Sequence, residues 1–177
     1  AIPRYEQTTP YQQVPFQFSV HIWPTPSADL THKEYLHTDK SDPRPQLIPA
    51  LLEACGTEGS IVAYYGKFES SRIALLPRIV DPLPVIRDFI YDNEFNGSFG
   101  LKSVGPALLG NKFSYDDMLV NNGTAAQRAF EQIIAENTNP TLKNELIQAS
   151  IEYCRKDTLV MVELVKWLQL QSQNSSL

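Results

Sequence analysis

Cysteine is scarce in this chain: Cys55 and Cys154 are its only two, without pair-rich spacing and without a secretion signal. That excludes a small disulfide-knit secreted scaffold and points to reduced thiols in a cytoplasmic protein. Long apolar runs are missing too. None approaches the roughly 18 residues that a membrane span needs, so no membrane partner is expected. Positive charge is also short, with 15 Lys and Arg against 20 Asp and Glu and a net charge of −5. Such a balance argues against a basic coat for bulk nucleic-acid binding but leaves room for a local basic groove. There is no Gly-x-Ser-x-Gly elbow and no credible nucleophile and base pair, which removes an α/β hydrolase. His21, His32 and His37 show no ligand spacing and are assigned no chemistry.

What is present suits one globular domain over 1–177. With 42% apolar residues in 177, the chain is long enough for a sizeable core, and it has neither an internal repeat nor a second-domain boundary. Its opening, "AIPRYEQTTPYQQVPF", lacks a methionine and reads as loop, so a fragment of a longer chain is expected. The "QSQNSSL" tail is expected to be disordered.

Along the chain, "VPFQFSVHIW" (14–23) alternates like a half-buried strand, with Phe16, Phe18, Val20 and Ile22 on one face and Gln17, Ser19, His21 and Trp23 on the other. "PTPSAD" turns the chain, and "LTHKEYLHT" (30–38) returns it as a hairpin. "DPRPQLIPALLEACG" (42–56) carries helix signals despite Pro49. "SIVAYYG" (60–66) is a short buried strand, "KFESSRIALLPRI" opens a helix behind it, and "DPLPVIRDFIYD" starts another. "GSFGLKSVGPALLG" (97–110) is a short helix ended by Gly110, "SYDD" (114–117) a helix start, and "NGTAAQRAFEQIIAEN" (122–137) a helix. The last and longest helix covers 141–171, with Thr141 as its cap. Strand, strand, helix, strand and then helices spell an α/β sheet with a helical second half.

An acid stands in the oily face of that last helix. Steps of three and four give Ile147, Ile151, Cys154, Asp157, Met161, Leu164 and Leu168. Buried carboxylates need partners, and Tyr153 lies one turn before Asp157 on nearly the same side. Sites in α/β sheets form at the carboxyl ends of strands, and Glu69 follows the strand 60–66 at such an end. Glu69 is therefore a candidate partner for Asp157.

These residues resemble a known family. "YCRKD" is Tyr-x-x-x-Asp, similar to the third motif of the tyrosine-containing DEDD (DnaQ-like) 3′→5′ exonucleases, and "YYGKFESSRI" resembles their second motif, Asn-x-x-Phe-Asp, with Tyr65 for asparagine and Glu69 for aspartate. Over nearly the whole chain, "IPRYEQTTPYQQVPFQFSVHI", "GSIVAYYGKFE", "GSFGLKSVGPAL", "FSYDDMLVNNG" and "YCRKDTLVMV" look like the bacterial domain-of-unknown-function family 2779, which itself resembles the DEDD nucleases and uses glutamate in the second motif. The resemblance implies a ribonuclease-H-like mixed sheet flanked by helices. It also implies Asp-x-Glu on the central strand, and no Asp-x-Glu precedes Phe16. That strand is expected upstream of Ala1, leaving this fragment without it. Members often sit beside a RecB-like nuclease region in the same chain, which is one expected partner.

Phosphodiester cleavage at such a site uses two divalent ions, Mg²⁺ or Mn²⁺, held by hard oxygen ligands. The resemblance makes Asp157 a direct ligand, Glu69 a ligand directly or through water, and Tyr153 the residue that orients the attacking water. Tyr65 and Asp81 are candidates to support them, although Asp81, before a proline, equally suits a cap for the next helix. Lys102 and Lys112 are candidates to contact phosphates of single-stranded DNA or RNA, and Phe99 to stack on a base. The plain alternatives are solvated lysines and a core phenylalanine. A noncatalytic module that keeps the fold and binds nucleic acid or a neighbouring domain is the competing function.

Overall fold

The alternating stretch near the start is a strand. In the structure, a computed structural model that describes residues 4–64 and 78–174, β1 spans Gln17–Ile22 and pairs with β2, Thr31–Leu36. The His37 amide donates to the Phe16 carbonyl at one end, and the rings of His21 and His32 lie 4.5 Å apart at the other, so the strands run antiparallel. Helix α1 follows at Arg44–Cys55. Pro43 and Pro45 open it, where a missing N–H costs nothing, and Gly56 closes it with a φ of 56° that disfavours side chains with a Cβ. Pro49 is accommodated inside it.

Strand β3 is shorter than expected. It covers only Ile61–Val62 and pairs in parallel with β4, Ile79–Val80, in a second two-stranded sheet. Ile79 was expected in a helix and is instead in this strand; residues 65–77, which include most of that expected helix, lie outside the described residues. Helix α2 (Leu83–Phe89) has Pro82 at its N-cap, and the carboxylate of Asp81, one residue earlier, accepts from the Leu83 amide at 2.9 Å. A 3-10 turn at Asn93–Phe95 leads to α3, Leu101–Leu109, which ends at Gly110 with a φ of 94°. After a second 3-10 turn at Asn111–Phe113 come α4 (Gly123–Ile134) and α5 (Pro140–Asn174). The described residues thus form a mixed α/β chain with two small sheets and five α-helices.

Three local expectations are corrected. "SYDD" does not start a helix: the Ser114 hydroxyl donates to the Asp116 carboxylate and accepts from the Asp116 amide, closing a side-chain turn that competes with helix. The cap of α5 is Asn139, whose side chain accepts from the Thr141 amide at 2.8 Å, because Pro140 takes the first helical position. The buried positions of α5 are Leu146, Ala149, Ser150, Val160 and Leu164, while Ile147, Ile151, Cys154, Asp157, Met161 and Leu168 are half-buried. Apolar residues surround much of this helix, so a second stripe beginning one residue earlier satisfies the same period. Asp157 and Leu164 belong to both stripes.

The chain divides into two units. The first comprises the described residues through Ile22, His32–Gly56 and Met118–Cys154. In its core, α4 turns Ala126, Ala129, Phe130, Ile133 and Ile134 inward against Leu146 and Ala149 of α5, and Phe16 stacks on Phe130 at 4.2 Å. Full burial of each large side chain is worth about 1.5–3 kcal/mol. Asn122 caps α4 by accepting from the Ala125 amide at 2.8 Å. The Gln17 side chain donates to the Ser150 carbonyl and ties β1 to α5.

The second unit holds Trp23–Thr31, the described residues of Thr57–Asp117 and the helix from Arg155 onward. Ile86, Phe95, Val104 and Leu164 form its core, with Tyr64, Ile90, Phe99 and Leu168 packed around them. Gly105 of α3 is buried against α5 so closely that a Cβ there would stand 2.7 Å from the Val160 Cγ1. Glycine sets that helix contact. It also fixes where α3 carries its neighbours past α5.

Candidate functional site

Lys102 is in the first turn of α3, three residues before Gly105, and is half-buried. Burial pushes its ammonium pKa down while the charge of Asp157 pulls it up, which puts the α5 carboxylate within electrostatic reach of this lysine. The Lys102 Nζ also stands 5.1 Å from the centroid of the Tyr115 ring. Lys156, next to Asp157 on α5, reaches the same ring, with its Nζ at 5.2 Å. Its ammonium donates to the Ser114 carbonyl as well. Tyr115 itself is 5% exposed and buried against the unit. The second unit therefore gathers two ammonium groups, one aromatic ring and one carboxylate where α3, α5 and the turn at 114–117 meet.

Asp157 lies half-buried and one helical turn after Tyr153 on the continuous helix α5. Tyr153 packs against the core of the first unit. Glu69 and Tyr65 fall outside the described residues. At the carboxyl end of β4, the Asp81 carboxylate accepts from the Leu83 amide at the start of α2, and its charge acts on Tyr64, which follows β3. The Tyr64 hydroxyl donates to the Phe99 carbonyl at 2.6 Å, and burial pushes its pKa up to about 12. Phe99 itself packs at the core, edge-on to Phe95 with centroids 5.8 Å apart. Lys112 is exposed over the ring of its neighbour Phe113, at 4.9 Å.

Sequence reasoning left out Lys156 and Tyr115. Nothing in their spacing marks them, since what joins them is the packing of a loop on a helix far along the chain. The histidines, given no chemistry, make local bonds in the first unit. His32 shares a hydrogen bond with Ser19 at 2.8 Å, and buried His37 sits between the Tyr35 hydroxyl at 3.1 Å and the Ser41 carbonyl at 3.0 Å.

Among the described residues, no group of three or more His, Cys, Asp or Glu side chains is placed to hold a metal ion. Asp157 is the one expected ligand they contain, and it fits as a hard oxygen donor. No helix among the described residues is long and apolar enough to cross a membrane.

In class, then, this is a mixed α/β chain whose second unit carries a cluster of lysines around a tyrosine and an aspartate. It belongs to the DUF2779 family (Domain of unknown function), whose family model matches residues 1–100 of the 177. The matched segment includes β1 to β4, α1 and α2, whereas Lys102, Tyr115, Tyr153, Lys156 and Asp157 follow it. No curated protein and no solved structure matches the chain.

Proposed function

We propose that the chain is part of a divalent-metal-dependent 3′→5′ exonuclease domain of the tyrosine-containing DEDD type, built on a ribonuclease-H-like sheet and acting on single-stranded DNA or RNA. The observation that carries this reading is the Tyr153 and Asp157 pair, one turn apart on α5, with Asp157 half-buried beside a lysine. A carboxylate kept partly out of water has a strong demand for a cation. In this reading Asp157 and Glu69 hold Mg²⁺ or Mn²⁺, with further carboxylates from an Asp-x-Glu strand upstream of Ala1. When bound, the ions stabilise charge on the phosphate and the leaving oxygen. Tyr153 orients the attacking water, and Lys102 balances the phosphate charge.

The test uses a longer chain that includes an upstream Asp-x-Glu strand. Asp157→Asn is expected to abolish metal-dependent cleavage of end-labelled single strands while the protein stays folded by circular dichroism, since an amide is a far weaker ligand than a carboxylate for a hard divalent ion. Cleavage unchanged by the substitution would remove Asp157 as a ligand and the reading with it.

One observation favours a second reading, a noncatalytic module that binds nucleic acid or an adjoining RecB-like region of the same chain. Lys102 already provides Asp157 with a countercharge from the protein. Under this reading the longer chain binds single strands and cleaves none.

A further inference from the structure

Helix α2 buries one side and shows the other. Ile86 lies wholly inside the core of the second unit, while Val85 and Phe89, four residues apart and so neighbours on one face, are turned outward. Ile90 then ends the helix in an extended conformation, with a φ of −125° and a ψ of 129°. Side chains alternate along extended backbone, so Ile90 packs at the core and Tyr91 comes out on the side of Phe89. Phe89 is 83% exposed and Tyr91 82%, and Val85 prolongs the apolar strip by one turn. Single apolar side chains at a surface are ordinary. Two aromatic rings left in water two residues apart, continuous with an exposed valine, mark a place of contact.

Acids border this strip. From Leu83 to Asn96 the chain sets Arg87 against Asp88, Asp92 and Glu94, a net charge of −2. The one cation is already engaged, because the Arg87 guanidinium donates to the Asp88 carboxylate at 2.7 Å. Asp92 accepts from the Glu94 amide at 2.8 Å, and the Glu94 side chain is exposed. Such a rim argues against two occupants. It repels the phosphates that would accompany bases stacked on these rings, and in a second copy of a chain with a net charge of −5 it would set acids against acids. It attracts cations, as do the ring faces of Phe89 and Tyr91, for which a guanidinium is the commonest partner. We infer that Val85, Phe89 and Tyr91, rimmed by Asp88, Asp92 and Glu94, dock a segment of a partner protein that presents arginine or lysine among apolar side chains. The strip lies within the residues matched by the family model, and none of its residues belongs to the site described above, so the docking surface stands independently of the nuclease reading.

The 177-residue chain is titrated into a fluorescein-labelled peptide that places leucine and arginine on opposite helical faces, and into its counterpart with glutamate for arginine, with anisotropy read at low and at high NaCl. The arginine peptide is expected to bind, more weakly as salt rises, and the glutamate peptide to stay free. Phe89→Ser with Tyr91→Ser leaves every charge in place and should weaken binding about tenfold or more, as the loss of aromatic anchors does. Asp88→Asn with Glu94→Gln brings the net charge of Leu83 to Asn96 to zero and should weaken binding too, with a flatter salt dependence. All four side chains are exposed, so both variants should keep the circular dichroism of the parent. Should the serine pair fail to fold, Phe89→Gln takes its place with the same direction of change. Unchanged affinity for the arginine peptide in a folded serine variant overturns the docking surface, as does equal binding of the two peptides or binding of neither. A parent chain that sediments as a dimer, returned to monomer by the serine pair, overturns it in favour of a second copy. A thymidylate 20-mer bound by the parent and lost by the serine pair overturns it in favour of stacked bases.

Discussion

Tyr64 shows how one hydroxyl couples burial to pH. Its O–H bonds the Phe99 carbonyl, and burial, helped by the charge of Asp81, raises its pKa from 10.0 to about 12. A group that keeps its proton longer folded than unfolded adds stability that is complete below its unfolded value and is lost as pH rises through its folded one. The second unit should accordingly lose stability between about pH 10 and pH 12. Ultraviolet difference titration of phenolate is expected to show a late-ionising tyrosine that disappears in Tyr64→Phe. That variant should also lose about 1 kcal/mol at neutral pH, the net worth of a typical hydrogen bond, and should shed part of the alkaline loss. A Tyr64→Phe protein with the same late phenolate step would assign that step elsewhere.

At the scale of elements, the contact between α3 and α5 makes the sharper prediction. Gly105→Ala gains up to about 1 kcal/mol in helix propensity but presses a methyl 2.7 Å from the Val160 Cγ1. Val160 is fully buried and β-branched, so it has little rotamer freedom with which to yield. Overpacking of this kind costs about 1–3 kcal/mol, and a net loss is expected in urea unfolding. Val160→Ala on the Gly105→Ala background should recover part of it, so that the double variant loses less than the singles together by at least about 0.5 kcal/mol. Additive losses would mean that the two helices part instead of clashing. Neither residue announced this contact in the sequence, although α3 itself, from its glycine start to Gly110, was legible. So were α1, α4 and α5, because a 3.6-residue period over a dozen residues or more outweighs local exceptions such as Pro49. The two-residue strand β4 was not, since Ile79 and Val80 are too few to show any period. At the candidate site, Asp157 and Lys102 stood out by residue type and motif. Their meeting with Lys156 and Tyr115 did not, because it depends on a loop seated against a helix 42 positions later.

For the molecule as a whole, the division into two units predicts two separable signals. Both tryptophans, Trp23 and Trp167, belong to the second unit, and Trp23 lies beneath the Lys166 ammonium at 5.3 Å. Indole fluorescence should therefore follow the unfolding of that unit, while far-ultraviolet circular dichroism follows the helices of both. Ile133→Val, which trims the core of the first unit at a cost of about 0.5–1.5 kcal/mol, should shift the dichroism transition more than the fluorescence one. Coincident shifts by both probes would make the chain one cooperative block. The hairpin of β1 and β2 has a complementary use. It and the turn after it carry His21, His32 and His37, all the imidazoles of the chain, inside the first unit. Their ring-proton resonances can be watched in an unlabelled sample, and with the indoles they form a built-in two-colour tag: one colour for each half, with no dye, isotope or added residue.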